Sequence, residues 1–481
     1  MEPDKKDGML AKDTLEEDVV INTQKLEAND NDDFKGYTHY EKYKLFVLFF
    51  FMGIINHLGT ILVMTGGRNL AFELGMENYL TIYTSMSIIF ALITRILNSK
   101  LFIKETYMKR ILIVCCCNII GYFMMFIVLL LHDTALSNYN EVCFVFSFIP
   151  CFFLGSSYAL GESAMIAYLR YFPKTLISGW SSGTGISGLL GGTLNLVSQL
   201  SSFSLKYIYL VLIILGPLYL FLFRLSFHML ARFEITEKKK EQNNTKELKP
   251  MTSETEDIKE NNEQTNSTFK QEEQNVMEEM NKTNKGLSFD NLKRVMNNCG
   301  RVIINLGCIY FLQFFCNNTL IVRCCGKIDM SFLPCNDNKT IRKGKFEFIN
   351  LFYQVGMLVS KTFIKLVRKI KKIQVYTIAI CTINMIYILE YSTGFLGWGN
   401  FIWLGLVLGF FGGGTYAGGF YTILNSDAVP ENMKELTVNV ATLFNDAGTF
   451  LSGIIGFLAL NYWFNNDKPF EGHELTSDKC P

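Results

Sequence analysis

Apolar residues in this chain run in stretches of roughly 20, separated by short polar turns, and that spacing limits the fold more than any other feature. Coiled as a helix, about 20 residues cover the hydrocarbon core of a bilayer. Lipid offers the backbone no water, so each stretch has to satisfy its own N–H and C=O groups as a helix. A soluble fold would instead show amphipathic surface helices, and few are visible. The chain reads as all-α, a polytopic helical membrane protein with about 11 transmembrane helices. Six are expected near 44–66, 78–98, 109–131, 142–168, 174–198 and 205–225, and five near 299–321, 346–368, 373–391, 400–424 and 435–463.

Composition agrees, with 49% hydrophobic residues in 481 despite two strongly polar segments. A formal net charge of +1 gives no footprint for nucleic acid. Thirteen cysteines are scattered through the chain, many inside apolar runs; those, Cys115-Cys116-Cys117 most clearly, read as packing residues and not as metal ligands. With five histidines in all, neither a His-built metal site nor a cofactor is expected. No Walker loop, nucleophile elbow or paired catalytic set is present, so the chain does not read as an enzyme.

The six-plus-five count has an internal echo. Gly183-Thr184-Gly185-Ile186-Ser187-Gly188-Leu189-Leu190-Gly191 recurs as Gly448-Thr449-Phe450-Leu451-Ser452-Gly453-Ile454-Ile455-Gly456. Each copy follows a similar lead-in, Ser157-Tyr158-Ala159-Leu160-Gly161 and Thr415-Tyr416-Ala417-Gly418-Gly419. Span four then matches ten and five matches eleven, as in a transporter built of two stacked bundles. The two small-residue helices are expected at pseudo-symmetric positions lining the interface between halves.

Residues 1–40 form a polar tail expected to be disordered and cytoplasmic, and 41–230 an N-terminal six-helix bundle. Residues 231–298 form a cytoplasmic loop expected to be disordered, 299–465 a five-helix bundle and 466–481 a tail. No apolar run lies near the start, so the first span is expected to act as its own insertion signal. Orientation follows Lys and Arg. Lys100, Lys104, Lys109 and Arg110, then Arg170 and Lys174, then Lys361, Lys365, Arg368, Lys369, Lys371 and Lys372 all fall on one face, which is assigned as cytoplasmic. The loop Cys324 to Lys345 is then lumenal. It holds Cys324, Cys325 and Cys335, where a disulfide from Cys335 to one of the vicinal pair is expected, and the glycosylation sequon at Asn338. Sequons at Asn243, Asn266 and Asn281 face the cytoplasm in this topology.

Polar residues inside apolar helices are costly in lipid and tend to face an interior pathway. Glu162 in span four and Asp446 in span eleven read either as proton-coupling groups or as neutral, hydrogen-bonded packing residues. The repeat places Ser181 opposite Asp446. Ser181, Ser182, Thr184 and Thr449 combine hydroxyls with a small-residue face, suited to close packing or to lining a pathway. Asn56 and His57 mark span one and Arg68 its lumenal end. Tyr353 and Gln354 in span eight are candidates for a cavity wall, and Gly412-Gly413-Gly414 reads as close packing or a hinge.

At these residues the chain resembles the battenin family of lysosomal membrane proteins. The resemblance runs through Gly161-Glu162, Tyr171-Phe172-Pro173, Ile177-Ser178 and Trp180-Ser181-Ser182-Gly183-Thr184-Gly185. It continues through Tyr353-Gln354, Gly356 and Ser360, and from Gly412-Gly413 through Tyr416, Glu435 and Asp446 to Leu451-Ser452-Gly453. Family members tend to carry Asn-Asn where this chain has Asn56-His57, and an acid where it has Gln313. The resemblance implies a major-facilitator-like fold in lysosomal or vacuolar membranes. It also implies roles in lumenal pH balance, basic amino-acid handling and glycerophosphodiester clearance. The leading expectation is a transporter of a small polar solute coupled to protons through Glu162 and Asp446. The alternative is a non-transporting scaffold or trafficking factor whose loop 231–298 binds cytoplasmic proteins.

Overall fold

The computed structural model describes residues 38–73, 80–134, 140–173, 176–201, 203–247, 286–325, 335–336, 339–342, 345–363, 366–367, 373–426 and 428–463. Helices stand at all eleven predicted positions. The first three are α1 (His39–Glu73), α2 (Leu80–Lys100) and α3 (Tyr107–Thr134). The fourth position holds α4 (Asn140–Phe146) and α5 (Phe148–Tyr168), the fifth α6 (Ile177–Leu200), and the sixth α7 (Leu205–Leu212) with α8 (Leu215–Glu247). In the second half α9 (Phe289–Phe315) runs through a π-helical turn (Cys316–Ile321) into α10 (Val322–Cys325). Then come α11 (Lys345–Thr362), α12 (Ile373–Thr393), α13 (Trp398–Asn425) and α14 (Glu431–Leu458). A two-stranded hairpin pairs Cys335–Asn336 with Lys339–Arg342.

Among the described residues, eight helical segments are long and apolar enough to cross a membrane. The other three predicted positions are held by α2, α6 and α11, the polar, glycine- and hydroxyl-bearing helices that build the site below. The split of two spans has a plain cause. Proline lacks the N–H that would reach four residues back, and its ring crowds that carbonyl. Pro150 and Pro217 each stand just after a break, at Ser147 and at Ile213–Ile214. The helices also enter the segment assigned to the cytoplasmic loop from both ends, α8 to Glu247 and α9 from Phe289. Asn338, the side chains of Cys325 and Cys335, and both chain tails lie outside the described residues. Cys324 is buried, and its thiol donates to the Tyr387 carbonyl at 3.5 Å.

The repeated glycines bring helix backbones together within each half. A Cβ on Gly183 of α6 would stand 2.0 Å from the Phe50 carbonyl oxygen of α1. One on Gly448 of α14 would stand 2.2 Å from the Gly307 carbonyl oxygen of α9. One repeat further on, Gly191 faces Ile61 and Gly456 faces Thr319. Each motif helix also packs across the interface, α6 against α11 and α14 against α2. The two copies therefore hold equivalent places, each between one helix of its own half and one of the other. Apolar side chains such as Val211, Phe221, Ile378 and Met385 point outward and form the lipid-facing belt. The largest buried cluster spans both halves.

Candidate functional site

Arg95 organises the site. α2 carries a buried polar stripe of Ser87, Thr94, Arg95, Asn98 and Ser99, at helical spacings that put them on one face. That face meets α5 and α14. Arg95 Nη2 donates to Glu162 Oε2 at 2.5 Å, and its Nε donates to Asp446 of the opposite half. Nη1 donates to the Ser163 hydroxyl at 2.8 Å and to the Ala159 carbonyl at 3.2 Å. The guanidinium lies 5.3 Å from the centre of the Tyr158 ring. A planar fork with five donors holds two carboxylates at once, which an ammonium does not do with the same geometry.

Glu162 is shared further. Its Oε1 accepts from the Tyr416 hydroxyl of α13 at 2.7 Å and lies 3.2 Å from His57 Nε2 of α1. Trp180 of α6 donates from Nε1 to the Tyr416 hydroxyl at 3.4 Å. Lys361 of α11 enters from the second half: its Nζ donates to Thr184 Oγ1 of α6 at 3.0 Å and sits 4.5 Å from the Tyr416 ring centre. Two cations and two carboxylates are thus buried where the halves meet, with aromatic rings around them. Removing such charges from water costs several kcal/mol per ion, so an apolar seam would hold the halves together at less expense.

A second charged cluster joins the halves at the Lys/Arg-rich end. Arg110 Nη1 donates to Glu435 Oε1, and the Tyr107 hydroxyl donates to Glu435 Oε2 at 2.8 Å. Arg170 Nη1 donates to the Glu431 carbonyl at 3.3 Å, and Lys434 pairs with Glu431. A small cavity of about 70 Å³ lies beside them, lined by Leu169, Arg170, Ile177, Leu424, Asn425, Glu431 and Lys434.

The residues singled out in the sequence separate into groups. Glu162, Asp446 and Thr184 lie in the central cluster. Asn56 adjoins it, donating to the Tyr158 carbonyl at 3.2 Å. Ser181 is buried on α6, its hydroxyl without a protein partner among the described residues. Ser182 and Thr449 turn back on their own helices, to the Ser178 carbonyl at 2.6 Å and the Asn445 carbonyl at 3.0 Å. Tyr353 lies inside the second half, accepting from Gln313 Nε2, while Gln354 packs against Gly188 at the interface. Asn56 and Gln313 have matching roles: each carboxamide oxygen fills the space a Cβ would take, at Gly161 and at Gly412. Arg68 lies on α1, with its side chain outside the described residues.

Three cations correct the sequence reading. Arg110 and Lys361, expected at helix ends as topogenic charge, are both buried and engaged in contacts between halves. Arg95 carries no expectation from the sequence, although the spacing of Ser87, Thr94, Asn98 and Ser99 marks the polar face on which it sits. His57, read as a helix marker, touches Glu162 directly.

Together the helices have the fold of solved membrane transporters. A bacterial homologue of the iron transporter ferroportin in its outward-facing state superposes with a TM-score of 0.50 at 12% identity, covering 87% of this chain and 92% of that one. A D-xylose–proton symporter superposes with a TM-score of 0.53 at 11% identity, over 88% and 91%. The CLN3 protein family profile matches residues 47–465, and the chain belongs to that family. Battenin of Dictyostelium discoideum is 27% identical over 420 residues, spanning 84% of this chain and 91% of that protein.

Proposed function

We propose that this protein is a secondary transporter that moves a small polar solute across a lysosomal or vacuolar membrane and couples its movement to protons through Glu162 and Asp446. The observation that carries the reading is the reach of Arg95, which holds a carboxylate of its own half and one of the other. A link of this kind is made or broken whenever the halves rock about the site, so a change in carboxylate protonation biases the rocking. A rigid scaffold gains nothing from such a network and bears its desolvation cost. Ser181, Ser182, Thr184, Thr449, Asn56, Tyr353 and Gln354 are the candidate pathway and supporting residues around it. The family resemblance supports basic amino acids or glycerophosphodiesters as solutes, and a part in lumenal pH balance.

The test is flux in vesicles reconstituted with the purified chain. Arginine and a glycerophosphodiester are supplied with and without a pH gradient, and uptake by one of them that rises with the gradient is expected. No flux of either solute under any gradient would leave the chain as a scaffold acting through its 231–298 loop.

A further inference from the structure

The imidazole of His57 lies against the central carboxylate with only one of its two nitrogens engaged. Nε2 is 3.2 Å from Glu162 Oε1, while Nδ1 has no protein partner among the described residues. The side chain is buried, its ring edge-on to Tyr158 and Trp180 with centroids 5.0 and 5.8 Å away. Arg95 holds Glu162 as a carboxylate, so Nε2 carries the hydrogen that points at it and Nδ1 keeps a lone pair. We propose that His57 is a proton-binding site of this cluster, taking a proton on Nδ1 and thereby loosening the contact between the two halves.

Protonation forms an N–H bond at Nδ1 and breaks an O–H bond of hydronium from the aqueous phase, which leaves as water. From the helices packed around it, the charged and titratable groups that reach the ring are Arg95 of α2, Tyr158 and Glu162 of α5, Lys361 of α11 and Tyr416 of α13. Arg95 and Lys361 balance Glu162 and Asp446 in formal charge, so a proton on His57 leaves the cluster with a positive excess. The imidazolium then competes for Glu162 Oε1 with the Tyr416 hydroxyl, the donor that reaches that atom from the second half. Histidine is the side chain whose ordinary charge change falls between about pH 5 and 8. An imidazole at this position can therefore take up a proton, which an amide there would not. The inference deepens the transporter reading and rests on it for its consequence, but its test requires no solute.

Trp180 reports on the ring, since an imidazolium beside an indole quenches its emission. In the full chain with Trp398, Trp403 and Trp463 replaced by Phe, acidification from pH 8 to pH 4.5 should remove Trp180 fluorescence in one sigmoidal step. His57→Asn should abolish that step, and His57→Gln serves if the Asn variant does not purify as a monodisperse protein. A step that persists with an unchanged midpoint in either variant would assign the proton to Glu162 or Asp446 and overturn the proposal, as would the absence of any step in the parent. If the step is present but no solute moves in vesicles, the transporter reading fails and the proton site stands.

Discussion

Arg95 donates to Asp446 across the interface between the two halves, with both side chains sealed from solvent. The pair lies 351 positions apart in sequence, which makes it a long-range tie as well as a charge contact. Breaking a buried ion pair from one side leaves a bare charge and costs roughly 3–5 kcal/mol. Arg95→Ala and Asp446→Ala should each lower the unfolding temperature of the purified chain strongly. The double variant should be more stable than the sum of the two predicts, because no bare charge remains from this pair. Strict additivity would mean that the two groups do not interact.

The carboxylates separate coupling from packing. Glu162→Gln keeps acceptor and donor capacity for Tyr416 and His57 but loses the charge that Arg95 holds. In the coupled reading Glu162→Gln and Asp446→Asn each remove gradient-driven uptake while exchange of solute down its own gradient survives. In the packing reading the amides behave like the parent and only Ala variants suffer. Gradient-driven uptake at parental rates in both amide variants would eliminate proton coupling through these groups.

At the Lys/Arg-rich end, Glu435 accepts from Arg110 and Tyr107, and both charged side chains are fully buried. Glu435→Gln leaves Arg110 uncompensated, so that end should open more often. Asn425 lines the cavity beside the clasp and offers a probe position. With the labelling native cysteines replaced, Asn425→Cys should react several-fold faster with a membrane-impermeant maleimide when Glu435→Gln is added. An equal rate in both backgrounds would show that the clasp does not hold this end shut.

The architecture was legible because lipid demands it: apolar runs place the helices, and the Gly-Thr repeat finds its two equivalent helices from packing chemistry alone. Charge was harder to read. Arg110 sits in the first turn of α3 and Lys361 near the last turn of α11, positions where basic residues ordinarily face water and set topology. Sequence position does not tell which side of the helix meets the other half, and that side decides between a topogenic and a buried cation. Arg95 was hidden for a related reason, since an isolated cation in an apolar run resembles a costly exception until the stripe around it is noticed. The breaks at Ser147 and Ile213–Ile214 could have been read from Pro150 and Pro217. The π-helical turn at Cys316–Ile321 has no such mark in the sequence.

The topology predicts a single glycosylated position, Asn338. Asn317 also begins a sequon, but it is buried in the π-helical turn and bonded to Asn350 at 3.2 Å. Glycosidase treatment should shift the mobility of the parent chain and leave Asn338→Gln unchanged. A shift that survives in Asn338→Gln and disappears in Asn266→Gln or Asn281→Gln would reverse the assigned orientation.

The repeated glycines give a prediction with its own control. Gly183 and Gly448 stand against backbone carbonyls, of Phe50 and of Gly307, which cannot swing aside as a side chain can. A methyl at either position forces two helices apart, and overpacking of this kind costs about 1–3 kcal/mol. Gly399 also lies in a helix, but a Cβ there would meet nothing within 4 Å. In an open helical position Ala is favoured over Gly by about 0.5–1 kcal/mol, because Gly loses more backbone freedom on folding. Thermal unfolding of the purified chain should therefore fall for Gly183→Ala and for Gly448→Ala, by similar amounts, while Gly399→Ala holds or rises. The two losses should add when combined, since the sites lie in separate halves and share no partner. A neutral Gly448→Ala beside a destabilising Gly183→Ala would mean that the second copy of the motif does not do the packing work of the first.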